Sequence, residues 1–479
     1  MKKFEFLIIC VIVFIALFLR LYKINRPIAD WHSWRQADTA SVSRNFLKEG
    51  FTPFIPTFDD MSSQTNGLDN PNRYRFVEFP VYNILVYLAW LITGVNTTIA
   101  RLVTVVITLA STIFLYLVVR KFSSWQVSAL SAFFFATIPY SVFYSSTILP
   151  GPFMVMSLLM LYYFFIRFLE NDKNWLFLSL SIIFANLAIL SWPIAIFFCL
   201  PVAYLSLDKY RIGIVKNIKI WLFVALTLMP FIMWRIWMLR FPQGIPDFQY
   251  LINDGNIRFK GAFFRWLVAE RLGKLILTPC GFALFIIGLV AKSSKEKLFY
   301  LSLLFSCLVY FVVFASGNVR HDYYQIPVIP TLAIFMAIGT KLLFDLKSPI
   351  FNKYIGPVVA VILIIFTFAL GYFEVQGYYW INKPQIVEAG KAVDRLLPKN
   401  ATVIAPLGGD TSFLYQTNRH GYPVVDRSLE KFIDQGTKYL VSVDLNDSGI
   451  QNLARNCKII GQTNSYVIIE LSKGCIGKS

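Results

Sequence analysis

Apolar stretches separated by short polar runs set the pattern of this chain. They lie near residues 5–22, 97–119, 125–144, 152–169, 174–190, 193–207, 219–239, 274–291, 297–315, 322–344 and 354–373. A helix of roughly 17–25 apolar residues crosses a hydrocarbon core of about 30 Å, so the pattern predicts a polytopic helical membrane protein with about eleven spans. Alternating sides from a cytoplasmic start gives an internal test of the count. Arg120–Lys121, Lys173, Lys209–Arg211–Lys216, Lys292–Lys295–Lys297 and Lys341–Lys347 all come out cytoplasmic, as the positive-inside rule expects. The run "FPVYNILVYLAWLITG" (79–94) breaks that alternation if counted as a span. It reads instead as an interfacial helix on the outer surface, with Trp90 and its tyrosines at headgroup depth.

The N-terminus, "MKKFEFLIICVIVFIALFLRLYKINRP", resembles a signal peptide but lacks a small-residue cleavage site. It reads as an uncleaved first helix with Lys2 and Lys3 in the cytoplasm. Three outward segments are then long: 23–96, 240–273 and 374–479. The predicted division is a transmembrane domain, 1–375, whose first outer loop (23–96) carries interfacial helices, and a C-terminal outer domain, 376–479. In the latter, "PQIVEAGKAVDRLLPKN" reads as a helix, and "ATVIAP", "TKYLVSVD" and "SYVIIEL" read as strands, an α/β pattern with enough chain for a modest core. "PLGGDTS" has two glycines but lacks the lysine and spacing of a phosphate loop, and reads as a turn. The tail's first reading is a lid or a partner-binding module.

Composition agrees with the pattern. Of 479 residues 56% are hydrophobic and 15% charged, against roughly 25% charged in soluble domains. The net charge of +18 would suggest nucleic acid on a soluble protein. Here the basic residues fall in short loops between apolar runs, so no nucleic-acid partner is expected. Cys10, Cys199, Cys280 and Cys307 lie in apolar runs as packing residues. Cys457 and Cys475 lie in the polar tail, and the sequence leaves open whether they join as a disulfide.

The polar residues gather in the first outer loop. As a helix, "ADWHSWRQADTASVSRNF" (29–46) puts Trp31, Trp34, Arg35, Asp38 and Val42 on one face, with Arg35 and Asp38 as neighbours. A surface ion pair with aromatic anchors is one reading. The other is chemical: a carboxylate that takes a proton from an acceptor, beside a guanidinium fork suited to phosphate. The same loop holds Arg44, Arg73, Arg75 and Glu78. Its length, mixed charge and aromatics favour function over disorder. Asp59–Asp60 reads as a solvated turn rather than a metal site.

The stretches "HSWRQADTASVSRNFLKEG" (32–50), "EFPVY" (78–82) and "RHDYYQIPVIP" (320–330) resemble bacterial membrane glycosyltransferases of the GT-C fold. The resemblance is to glycosyltransferase family 39, with the protein O-mannosyltransferases and the lipid A aminoarabinose transferase, over roughly residues 1–375. It implies transfer of a sugar from a polyprenyl-phosphate carrier to a protein, lipid or cell-wall glycan acceptor on the outer face of the cytoplasmic membrane, by a single inverting displacement. Relatives carry Asp-Glu where this chain has Arg35 and Gln36. Asp38, one turn later, is the nearest acidic replacement and the expected base, with Asp30 second. His32, Arg35, Gln36, Arg44, Arg73, Arg75, Glu78, Arg320, His321, Tyr323 and Tyr324 are the expected substrate and lipid-phosphate contacts. No cofactor or metal site is firmly implied, and a divalent metal is left open. Two departures stand out: Gly151 replaces an acid of relatives, and Trp192 replaces a lysine before Pro193.

Two other classes compete. A transporter or flippase of lipid-linked sugars would carry ionisable groups at mid-span, and the spans here are almost free of them. A non-catalytic binder of a lipid-linked sugar is the third reading.

Overall fold

The computed structural model describes residues 3–292, 297–346 and 354–476. Lys2, Lys295 and Lys347, on which the predicted cytoplasmic charge clusters draw, lie outside them. The chain forms two compact units. One comprises Met1–Ile24, Arg101–Ile236 and Phe248–Gly377; the other comprises Asn25–Ala100, Trp237–Asp247 and Tyr378–Ser479. This grouping cuts across the linear division at residue 375, because the first outer loop packs with the tail.

The first unit is helical. Among the described residues, six helices are long and apolar enough to cross a membrane: Thr97–Val119, Gly151–Glu170, Pro193–Lys216, Ile218–Met238, Asp322–Phe344 and Ile355–Tyr379. A seventh results if the pair Gly261–Ile276 and Thr278–Val290, bent by 108°, is counted as one span. The other expected spans form helices that fall short of this test, each for a local reason. Lys3–Arg20 carries Lys3, Glu5 and Arg20. The 125–144 run breaks at Ile138, which precedes Pro139 and takes an extended ψ of 122°, so a six-residue helix, Pro139–Tyr144, starts anew. Trp175–Ser191 and Lys297–Val313 have 17 residues each.

Glycines allow two helices of this unit to approach closely. A Cβ on Gly288 would lie 1.9 Å from the Phe335 carbonyl oxygen, and one on Gly339 would lie 2.0 Å from that of Leu284. Thr278–Val290 and Ile329–Phe344 thus pack backbone to backbone, as small residues allow within a membrane.

The second unit is built on a mixed sheet: β1 (Thr402–Ile404), β2 (His420–Tyr422), β3 (Tyr439–Ser442), β4 (Lys458–Gln462) and β5 (Val467–Glu470), in the order β2-β1-β3-β5-β4. β1 pairs in parallel with β2 and β3, while β5 runs antiparallel to β3 and β4. β1, β3 and β5 fall in the three runs read as strands. β2 and β4 escape the sequence because His420–Tyr422 is too short to alternate and Lys458–Gln462 is an exposed edge. Val403, Val441 and Ile468 meet Ile386, Ala389 and Val393 of the helix Gln385–Leu396 in one core, which Ala29 of the outer loop joins. The tail and the first outer loop thus share one core within this unit.

The loop extends the sheet. Gly421 N donates to Asp59 O at 3.0 Å and Met61 N to Gly421 O at 2.8 Å, so residues 59–61 add to edge strand β2. Residues 57 and 74 form an antiparallel bridge, and Arg75 N donates to Pro56 O at 2.8 Å, which fixes Arg73 and Arg75 on a folded-back segment. The helix Val81–Thr93 buries Tyr82, Asn83, Val86 and Trp90, at helical spacing, and leaves Leu88, Leu91 and Ile92 exposed. Trp90 is 1% exposed and its indole donates to Asn96 O at 2.8 Å. It is packed inside the protein, and the exposed face of the helix is that of Leu88, Leu91 and Ile92. Cys457 and Cys475 form a disulfide, joining the start of β4 to the last turn of the described chain.

Candidate functional site

The polar loop helix spans Ser33–Glu49, and every residue from Arg35 to Phe46 is buried. It begins after His32, which holds a left-handed conformation (φ 51°). Trp31 therefore lies outside the helix and off the predicted face; it is 39% exposed and stacks on Tyr378 at 4.8 Å.

Arg35 and Asp38 do not form the expected i, i+3 pair. Residues 75–78 lie alongside and offer partners at the same spacing. Arg35 Nη2 pairs with Glu78 Oε1 at 2.8 Å, and Asp38 Oδ2 pairs with Arg75 Nη2 at 2.8 Å. Asp38 Oδ1 accepts a hydrogen bond from the Thr411 hydroxyl at 2.6 Å. Asp38 is 5% exposed, and burial pushes its pKa up. Arg75, the Thr411 hydrogen bond and Arg35 oppose that rise, while Asp410 adds to it. A carboxylate so placed is fixed through both oxygens and is more basic than a solvated one.

Asp60 is the second perturbed acid. Burial raises its pKa to about 7, with the Asp38 charge adding to it, although Ser62 N donates to its Oδ1 at 2.7 Å. Asp59, its chain neighbour, pairs with Arg44. The Asp-Asp pair is thus no solvated turn: both carboxyls are buried, with different partners.

Other loop candidates are held in ion pairs and hydrogen bonds of their own. Asp30 pairs with Arg26 and accepts from Gln36 Nε2 at 2.9 Å. Arg44 also donates to Tyr415 O at 2.9 Å and lies 4.1 Å over the Tyr415 ring. Arg73 grips Glu49 with two bonds of 3.0 Å, and His420 Nε2 lies 2.9 Å from the same carboxyl. Burial alone would raise the Glu49 pKa, but His420 and Arg73 hold it down to about 2.

Arg320, His321, Tyr323 and Tyr324 belong to the first unit. Arg320 pairs with Asp254 at the surface, so its fork faces a carboxylate. Tyr323 and Tyr324 are buried, with Trp192 ring centroids 6.2 and 5.5 Å away. The residue that sequence reading passes over in this motif is Asp322. It is 1% exposed, accepts from Tyr144 OH at 2.6 Å and lies 4.0 Å from Arg271 Nη1. The two departures, Gly151 and Trp192, meet each other here: a Cβ at 151 would lie 2.7 Å from Trp192 Cζ3. Among the described residues no three His, Cys, Asp or Glu side chains gather as a metal-binding group.

The chain is similar to known proteins in part of its sequence and in its fold. Residues 73–237 match the family model of dolichyl-phosphate-mannose-protein mannosyltransferases. ArnT from Cupriavidus metallidurans bound to undecaprenyl phosphate superposes with a TM-score of 0.63 at 13% identity, covering 98% of this chain and 99% of that one. The apo oligosaccharyltransferase of Archaeoglobus fulgidus superposes with a TM-score of 0.57 at 11% identity, over 94% of this chain and 71% of that one. The archaeal oligosaccharyltransferase AglB from Archaeoglobus fulgidus, in complex with an inhibitory peptide and a dolichol-phosphate, gives 0.56 at 11% identity, over 93% and 70%. Sequence comparison with curated proteins yields no match. The chain thus has the GT-C glycosyltransferase fold and, over residues 73–237, resembles the mannosyltransferases of glycosyltransferase family 39.

Proposed function

We propose that this protein transfers a sugar from a polyprenyl-phosphate donor to an acceptor at the outer face of the cytoplasmic membrane, with Asp38 as the base. The observation that carries the reading is the buried Asp38 carboxylate, gripped by Arg75 and Thr411, its pKa pushed up by burial. The lipid phosphates in the ArnT and AglB structures support the donor class.

In the proposed step Asp38 takes the proton of an acceptor hydroxyl or amine. The acceptor atom attacks the anomeric carbon, the bond from that carbon to the phosphate oxygen breaks, and the polyprenyl phosphate leaves with the electron pair. The leaving group is already an anion, so electrostatic stabilisation matters more than a general acid. Asp30, locked by Arg26 and Gln36, is the second candidate base. The other loop and 320–324 candidates keep their proposed roles as substrate and carrier contacts. About eleven crossings with a cytoplasmic N-terminus, and 1–375 and 376–479 as functional divisions, belong to the same proposal. The Cys457–Cys475 disulfide supports an outward, oxidising location for the tail.

Transfer of radiolabelled sugar from a panel of polyprenyl-phosphate sugars, by protein in liposomes supplied with membrane acceptors, tests this. Asp38→Asn should cut transfer by about 100-fold or more, the typical worth of a positioned base. Equal transfer by both proteins would move the base to Asp30. Donor binding without transfer, for every donor and acceptor, would instead favour the non-catalytic reading.

A further inference from the structure

The turn "PLGGDTS" reaches Asp38 from 373 residues away. Its shape is set locally. Gly408 and Gly409 take φ of 63° and 87°, which side chains rarely adopt. Leu407 N and Gly409 N both donate to Pro423 O, at 3.0 and 3.1 Å, which ties the turn to the chain leaving β2. Asp410 Oδ1 accepts from Ser412 N at 2.7 Å, and Ser33 Oγ lies 3.3 Å from Asp410 Oδ2. Past the turn, Tyr415 is held by Arg44 through its carbonyl and its ring. Thr411 is thus fixed on both flanks by contacts that do not involve Asp38. Its hydroxyl lies 2.6 Å from Asp38 Oδ1 and 3.1 Å from Trp34 O; one proton serves one acceptor, and the charged, nearer one holds it more strongly.

We infer that Thr411 is a positioning residue for Asp38, so that the tail domain supplies a working part of the site built on the outer loop. The inference rests on the reading of Asp38 as base. Arg75 holds one carboxylate oxygen and Thr411 the other, so rotation of the carboxylate about its Cβ–Cγ bond is blocked. The hydroxyl also favours the ionised form, against burial. The charged groups that face Asp38 are Arg35 from its own helix, Arg75 and Asp60 from the loop, and Asp410 from the turn. Arg35 and Arg75 favour ionisation; Asp60, once charged, and Asp410 oppose it.

The test uses full-length protein and the variants Thr411→Val and Thr411→Ser, each also in an Asp38→Asn background. Thermal unfolding gives the first readout. Thr411→Val should lower the midpoint when Asp38 is intact, and by about half as much in the Asp38→Asn background, because a neutral acceptor makes a hydrogen bond roughly half as strong. An equal loss in both backgrounds would overturn the inference. The pH profile of sugar transfer gives the second. Thr411→Val should move the acidic limb up by about one pH unit, and Thr411→Ser should bring it back. A limb unmoved by valine would also overturn the inference. Should wild-type protein transfer no sugar from any donor, the transferase reading fails, and the unfolding cycle still decides whether Thr411 acts through Asp38.

Discussion

The helix Ser33–Glu49 carries Arg35, Gln36, Asp38 and Arg44 and buries everything from Arg35 to Phe46. The helix Ile355–Val375 has no charge before Glu374, yet it leaves Val358, Ile362, Ile365, Phe366 and Phe373 exposed, with 22% of its apolar stretch buried. Polarity and burial run in opposite directions in the two. In the second, the lipid is the solvent and an apolar surface costs nothing. In the first, each buried charge has been matched: Arg35 to Glu78, Asp38 to Arg75, Arg44 to Asp59. Apolar residues mark what faces lipid, and paired polar residues mark what the protein has enclosed.

The contrast can be broken by mutation. Arg44→Ala would leave Asp59 buried and unpaired and remove the hold on Tyr415. It should cost about 3–5 kcal/mol, read as a large fall in unfolding midpoint. Phe366→Ala on the exposed helix should stay within about 0.5 kcal/mol. Similar losses from both would end the comparison. A smaller effect is expected from Cys457→Ser with Cys475→Ser. Removing this link across 18 residues should cost about 2–4 kcal/mol and melt the sheet unit earlier.

The finest distinction is in pH. Asp60 has a folded pKa of about 7, above its usual 3.8, so the fold prefers the protonated form. Stability should fall as pH rises from about 4 to 7 and level off above. Glu49, held at about 2, works in the opposite sense, and its contribution is lost as pH falls from about 4.5 to 2. Asp60→Asn should reduce the upper slope, to which Asp38 also contributes because burial raises its pKa, and leave the lower one. An unchanged slope between pH 4 and 7 would show that Asp60 is not its source.

Much of this was legible in the chain. Apolar runs and turn residues mark most helices and three of the five strands, because burial in lipid or in a sheet core imposes its period locally. The polar helix in the first loop is legible for the same reason. Its partners are not. Arg35 and Asp38 sit at ion-pair spacing, and no local rule says that 75–78 will offer a competing match. Thr411 looks like an ordinary turn residue because its significance lies 373 positions away. Asp322 hides between the basic and aromatic residues that draw the eye. The span count depends on Pro139 and on the 108° bend near Thr278, local breaks inside runs whose composition is uniform.

Gly151 and Trp192 also share one volume. A Cβ at 151 would press on the Trp192 ring, so a larger residue at 151 needs a turned ring or a smaller residue at 192. The two positions form a single packing unit: the space that one gives up is the space that the other fills, and a substitution at either is read through its partner.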